Sequence, residues 1–224
     1  MNKIISNYKN IINEIKSYEK EFYESVKNID LVAVSKTFPA EKIELILNLG
    51  HRVFGENRVQ EAAEKWPILK KNFDNVELHL IGPLQSNKAK TALEIFDVIQ
   101  TLDREKIVLK IKEFKENDEQ KKVHKFFIQV NTGNEQQKAG IEPDKLIDFV
   151  SWCKNDVNLE ISGLMCIPPI NEPSAKHFKI LSSLAKKSSL KFLSMGMSND
   201  FKEAIEFGAT HVRVGSGIFG KRDQ

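Results

Sequence analysis

A single (β/α)8 barrel, the TIM-barrel architecture of the α/β class, is the fold this sequence predicts, and three observations carry the prediction. Short apolar runs alternate with helical patterns along the chain. About eight such strand-then-helix units can be counted. No shift of composition and no Pro/Gly/Ser-rich linker divides them. At 224 residues the chain is somewhat shorter than the ~250 typical of the barrel. A doubly wound open sheet is the alternative, and the count of the weaker strands decides between the two.

Taken in order, Ile4, Tyr8, Ile11, Ile15, Tyr18 and Phe22 recur at helical spacing and form one apolar stripe. An extra N-terminal helix, within residues 1–28, is expected to pack on the barrel; a partner-binding helix is the alternative. The strands follow at Leu31 to Ser35, Val53 to Phe54, Leu78 to Ile81, Val98 to Gln100, Phe126 to Asn131, Leu159 to Met165, Phe192 to Met195 and His211 to Val214. Helical patterns between them include Glu41 to Leu49, Arg58 to Leu69, Asn87 to Ile95, Arg104 to Glu116, Pro143 to Cys153 and Asp200 to Phe207. The whole chain, 1–224, is read as one domain.

Charge and cysteine content exclude several classes. The 34 basic residues exceed the 31 acidic ones by three, too few for a nucleic-acid binder, and they alternate with glutamates on helical faces as a solvated surface does. Cys153 and Cys166 have neither metal-site spacing nor the density of a disulfide scaffold, which points to a reducing compartment, the cytoplasm. No apolar run is long enough to cross a membrane, and Lys9, Glu14, Lys16, Glu19, Lys20 and Glu21 interrupt any signal-peptide core.

In a barrel, function sits at the C-terminal ends of the strands. The first strand ends in Lys36. Alternation puts Val32, Val34 and Lys36 on one face and Leu31, Ala33 and Ser35 on the other, so Lys36 points with two valines into a core. A desolvated lysine is the nucleophile of Schiff-base chemistry with aldehydes and ketones; a strand-end lysine that snorkels to water is the plain alternative. The seventh and eighth strand ends read as an anion cradle. Ser198 and Asn199 are placed to cap a helix starting at Asp200, and Gly215-Ser216-Gly217 lets the main chain approach a ligand. Gly215 to Gly220 also fits G-x-G-x-x-G, but without a βαβ unit or an acidic residue about 20 positions on, so a single phosphate site is expected in place of a dinucleotide site.

Arg213 shares parity with His211 and is expected to point inward beside that cradle, with a buried carboxylate as the alternative partner. A lysine, a phosphate loop and an inward cation describe a pocket for a phosphorylated aldehyde with an acceptor in its ring. Pyridoxal 5′-phosphate (PLP) meets that description. His79 and His211 are read as core or strand-end histidines, Cys166 as a small apolar residue, and Asn87 with Lys88 as either a helix cap or part of the ligand's mouth.

The motifs VAVSK (Val32 to Lys36), FGENRVQEA (Phe54 to Ala62), HLIGPLQSNK (His79 to Lys88), NTGNEQQKAG (Asn131 to Gly140), GLMCIPP (Gly163 to Pro169), MGMSND (Met195 to Asp200) and RVGSGIFG (Arg213 to Gly220) occur in this order. Together they resemble the pyridoxal phosphate homeostasis protein family, over about Leu31 to Gly220. The resemblance implies a barrel like that of alanine racemase, binding PLP without known turnover. It implies Lys36 as the Schiff-base lysine, Ser198, Gly215 and Ser216 as phosphate ligands, and Arg213 facing the pyridine nitrogen. Asn57 and Met165 are placed near the ring, while the residues alone read Met165, like the Phe residues of Lys125 to Ile128, as core. Gly217 stands where many members carry alanine.

Three functions compete: a protein that holds, buffers or delivers PLP; a racemase-like PLP enzyme; and an aldolase using Lys36 on a sugar phosphate. Alanine racemases draw a tyrosine from a second domain, whereas Tyr8, Tyr18 and Tyr23 all fall in the N-terminal helical stretch. The expectation is a monomer that exchanges PLP with amino acids and apo-enzymes and does not turn substrates over.

Overall fold

A computed structural model describes residues 2–117 and 124–220; Met1 and residues 221–224 of the expected domain lie outside the described residues. The strands β1 (Asp30–Val34), β2 (Val53–Glu56), β3 (Glu77–Leu80), β4 (Val98–Leu102), β5 (Lys125–Val130), β6 (Gly163–Cys166), β7 (Phe192–Ser194) and β8 (His211–Val214) close into one barrel in chain order. All pairings are parallel, and β8 returns to β1 with Asp30 beside His211 and Ala33 beside Val214. That closure rules out the open sheet.

The described helices are α1 (Lys3–Phe22), α2 (Ala40–Leu47), α3 (Val59–Asn72), α4 (Ala89–Ile95), α5 (Glu105–Glu116), α6 (Leu146–Asn155), α7 (Ser174–Lys187), α8 (Phe201–Glu206) and α9 (Ser216–Phe219). Asn87 and Lys88 sit in a 3-10 turn before α4. Each strand is followed by a helix, as a right-handed parallel barrel requires.

Strand alternation sorts the two faces of the sheet. Leu31, Ala33, Phe54, Leu78, Leu80, Phe126, Ile128, Leu164, Val212 and Val214 face the helices and join one continuous apolar layer. The other parity fills the barrel, and it is not apolar throughout. His79, Gln100, Ser194, His211 and Arg213 are buried there beside Val32 and Met165. At the N-terminal end, the Phe127 and Phe192 rings stack at 6.0 Å, and His211 meets them edge-on at 5.4 and 5.5 Å.

The N-terminal stripe packs on the barrel, as expected. Asn2 caps α1 by accepting from the Ile4 N–H at 3.0 Å, and Ile11 and Ile15 are buried. The helix lies against α2, α8 and α9; Asn7 Nδ2 donates to the Ile218 carbonyl at 3.1 Å and the Tyr23 hydroxyl to the Ile205 carbonyl at 2.5 Å. It ends at Phe22, where Tyr23 is already extended, so residues 23–28 of the expected segment are not helical.

Two elements start three or more residues later than the sequence predicts. Pro143 to Lys145 form turns, and α6 begins at Leu146. Leu159 donates its N–H to the Cys153 carbonyl at 2.8 Å, which ties the lead-in of β6 to the end of α6 until Gly163 joins the sheet. Leu159 and Ile161 are buried off the ladder, which begins as the Ser162 N–H donates to the Phe126 carbonyl at 2.8 Å.

Candidate functional site

The C-terminal strand ends open into a cavity of about 1100 Å³, ample for a small cofactor. Lys36, Asn57, Ser198, Arg213, Gly215 and Ser216 all line it. Met165 does not. It is fully buried one layer deeper in the barrel, paired in register with Ser194. Asn87 and Lys88 are also absent from the wall.

Lys36 owes its place to β1. The Ser35 N–H continues the ladder to the Gly55 carbonyl at 3.0 Å, and its hydroxyl points outward to donate to Glu56 at 2.6 Å. One residue on, Lys36 turns inward beside Val34 and Phe38 at the cavity wall. Thr37 then takes φ 69°, a left-handed conformation that is strained for a β-branched residue. Asn57 follows β2. Gly82 packs so closely behind it that a Cβ there would come within 2.2 Å of the Asn57 carbonyl, and Thr101 fixes Gly82 by donating to its carbonyl at 2.8 Å.

Arg213 is the inward cation of β8. Its guanidinium donates to the Ser194 hydroxyl at 2.8 Å and to the Cys166 carbonyl at 2.8 Å, neither of them a carboxylate. The polar chain continues down the barrel. Ser194 donates to Gln100 Oε1 at 2.6 Å, Gln100 Nε2 meets His79 Nδ1 at 2.7 Å, and His79 Nε2 meets Glu77 at 2.8 Å. With Nδ1 accepting, the His79 proton lies on Nε2, and each group donates toward Glu77. Burial lowers the Arg213 pKa from its ordinary value, with Asp200 among the groups acting against that. Burial likewise raises the Asp200 carboxyl, against the Met197 N–H that it accepts at 2.6 Å and the field of Arg213. The Cys166 thiol is pushed up to about 12 by burial, consistent with an inert apolar role.

The anion cradle is built differently from the expected helix cap. Asp200, not Ser198, stands at the start of α8, a helix of six residues. Ser198 instead turns its hydroxyl to β8's loop, accepting from the Ser216 hydroxyl at 3.2 Å and the Gly217 N–H at 3.3 Å. Two hydroxyls and a main-chain N–H thus converge at the cavity mouth. Gly217 is tightly enclosed, since a Cβ would lie 2.9 Å from Val214 Cγ1.

Sequence reasoning missed the opposite wall, Ile167 to Ile170 with Glu172 and Ser174, because it comes from a loop without a strand-end signal. It also missed the residues behind Lys36. Glu56 is fully buried, and it accepts from Trp66 Nε1 at 3.1 Å as well as from Ser35. Burial raises its pKa; Lys65, Ser35 and Trp66 oppose that.

PLP can be tested against this wall. Asn57 Oδ1 is buried at the cavity and has no hydrogen-bond partner among the described residues, as a group awaiting a polar ligand would be. The cavity offers an amine, a donor-only cation and hydroxyl donors at separate points, which match the aldehyde, ring nitrogen and phosphate of PLP. The donor set fits. Among the described residues no cluster of His, Cys, Asp or Glu could hold a metal, and no helix is long and apolar enough to cross a membrane.

A parallel barrel with this wall is of the alanine racemase N-terminal type: the family model "Alanine racemase, N-terminal domain" matches residues 6–223. More narrowly, a Pyridoxal phosphate homeostasis protein of Vibrio cholerae is 39% identical over 237 residues, covering 100% of this chain and 98% of the relative. The chain belongs to the pyridoxal phosphate homeostasis protein family. Among solved structures, PipY of Synechococcus elongatus PCC7942, with PLP bound, is 30% identical at a TM-score of 0.78, over 97% of this chain and 100% of that one. An unknown protein from Bifidobacterium adolescentis superimposes at a TM-score of 0.89 with 26% identity, over 96% and 94% of the two chains.

Proposed function

We propose that this chain binds PLP covalently through Lys36 and serves PLP homeostasis by holding and releasing the cofactor, without significant turnover. The observation that carries the reading is the convergence of Lys36, Arg213, Ser198 and Ser216 on one cavity whose Asn57 Oδ1 lacks a partner among the described residues. Bound PLP supplies an aldehyde for an amine and a ring that withdraws electrons. Lys36 is the amine. Ser198, Gly215 and Ser216 would hold the phosphate, with the Gly217 N–H fixing the Ser198 hydroxyl. Asn57 borders the ring, and Met165 supports the floor from beneath.

Arg213 distinguishes a carrier from a catalyst. A guanidinium only donates, so it binds a pyridine nitrogen that carries no proton and leaves the ring a weak electron sink. Racemisation also needs an acid and a base on opposite faces of the substrate. None of Tyr8, Tyr18 and Tyr23 lines the cavity. We propose amino acids and PLP-requiring apo-enzymes as the recipients of the cofactor, and a cytoplasmic monomer as the working form. An aldolase reading leaves the donor-only Arg213 and the orphaned Asn57 without a role.

Three measurements test this. Ser198→Ala and Ser216→Ala each weaken PLP binding by about 0.5 to 2 kcal/mol, the worth of a hydrogen bond to a charged group. Pyridoxal without its phosphate binds far more weakly than PLP, and equal affinity for the two rejects the cradle. For turnover, the PLP-loaded protein is incubated with a panel of amino acids in deuterated water. Little α-proton exchange is expected. Exchange as fast as a true racemase's favours the enzyme reading.

A further inference from the structure

Lys36 is not the only lysine at the end of β1. On α3, Lys65 reaches under the same turn from the helix side, with its side chain 11% exposed. Its Nζ donates to the carbonyls of Ser35 and Phe38, each at 3.1 Å, the residues that bracket Lys36 and Thr37. It also meets Glu56 at 2.9 Å and Glu61 at 2.8 Å. Glu56 in turn accepts from Ser35 Oγ, and Glu61 accepts the Thr37 N–H at 2.5 Å. The left-handed φ of Thr37 is thereby held by a carboxylate that the same ammonium fixes. Four acceptors around one Nζ leave Lys65 no role in the cavity, and it does not line it.

We propose that Lys65 is a positioning residue for Lys36, clamping the carbonyls on either side of it so that the Lys36 side chain leaves the strand toward the cavity. A turn carrying a strained residue relaxes unless its surroundings over-determine it. The ammonium supplies that restraint from both ends of the four-residue stretch, and the two glutamates orient the ammonium. Because amine attack depends on a narrow range of approach, loss of the clamp acts on the rate at which Lys36 captures an aldehyde, not on the cradle that holds the phosphate. The inference rests on Lys36 being the PLP lysine.

The test compares wild type, Lys65→Met, Lys65→Arg and the double variant Glu56→Gln/Lys65→Met, which leaves no lone carboxylate buried behind the turn. Covalent attachment of PLP to Lys36 is followed by absorbance and fixed with borohydride. Phosphate binding is measured separately, by competition with inorganic phosphate. Hydrogen exchange of residues 35–38 is read in the protein before PLP is added. The expected result is attachment slowed about tenfold or more in Lys65→Met and in the double variant, with phosphate competition unchanged, faster exchange at 35–38, and partial recovery in Lys65→Arg. Attachment at the wild-type rate in a folded variant, or a loss matched by an equal loss of phosphate binding, overturns the proposal. If the wild-type protein itself fixes no PLP on Lys36, the reading of Lys36 falls, and the clamp is then judged by exchange alone: unchanged exchange at 35–38 rejects it.

Discussion

Replacing Lys36 by alanine removes covalent PLP capture altogether: the wild-type protein, reduced with borohydride and digested, carries the cofactor on the peptide containing Lys36, and Lys36→Ala carries none. The expectation follows from placement, since β1 delivers this side chain to the wall with Val34 and Phe38 while Lys65 is engaged behind the turn. The variant keeps Ser198, Ser216 and Arg213, so it still binds PLP reversibly, and dialysis strips the cofactor. A label on another lysine in freshly prepared wild-type protein would falsify the assignment.

Acid is expected to unfold the protein through its barrel interior. Burial, helped by the neighbouring His79, lowers the His211 pKa from 6.5 to about 3; Glu77 opposes this, while Lys125 and Arg213 add to it. The folded state therefore keeps this imidazole neutral where the unfolded chain protonates it. That contribution is complete above pH 6.5 and is lost as pH falls from 6.5 toward 3, at about 1.4 kcal/mol per pH unit. His51, brought to about 4 by burial, acts in the same direction. Glu77, held at about 2 chiefly by its hydrogen bond with His79, adds a loss between pH 4.5 and 2. Asp30, Glu56, Asp103 and Asp200 are raised by burial and titrate in the opposite sense, so a variant is needed to isolate the histidine. Thermal unfolding of wild type and His211→Asn at pH 7, 5.5 and 4 does this. The wild-type midpoint falls more steeply, and parallel curves would reject the assignment.

The barrel and most of its site were legible because both rest on local alternation. A strand's parity fixes which side chains enter the barrel, and its last residue fixes which reach the cavity. Lys36, Arg213 and Gly215 could be placed that way from a few neighbouring residues each, whereas Asn57 came from the family resemblance. Met165 has the right parity but stops one layer short, a depth set by the stagger of β6 against β5 and β7 that no single strand encodes. Ser198 came to the cavity for a reason other than helix capping: its partners lie 18 and 19 residues away. Lys65 looked like one more charge on an amphipathic helix, because the carbonyls it holds are 30 and 27 residues distant. The link from Ser194 to Gln100 spans 94 residues, beyond any motif.

The seat of α1 against α9 sets the order in which the molecule can be assembled. Asn7 holds the Ile218 carbonyl across 211 residues, and Ile11 lies against the place where a Cβ on Gly217 would stand, so the first helix backs the loop that carries Ser216. Contacts of such separation are slow to form, and a chain emerging from the ribosome makes its N-terminal helix long before the segment it must meet. Until then the apolar stripe of α1 meets α2 but lacks α8 and α9, and the loop has no backing. A nascent chain can thus display Lys36 early but cannot seat Ser216 beside Ser198 until its last segment arrives, so on the proposed assignment retention of the phosphate is acquired late in folding.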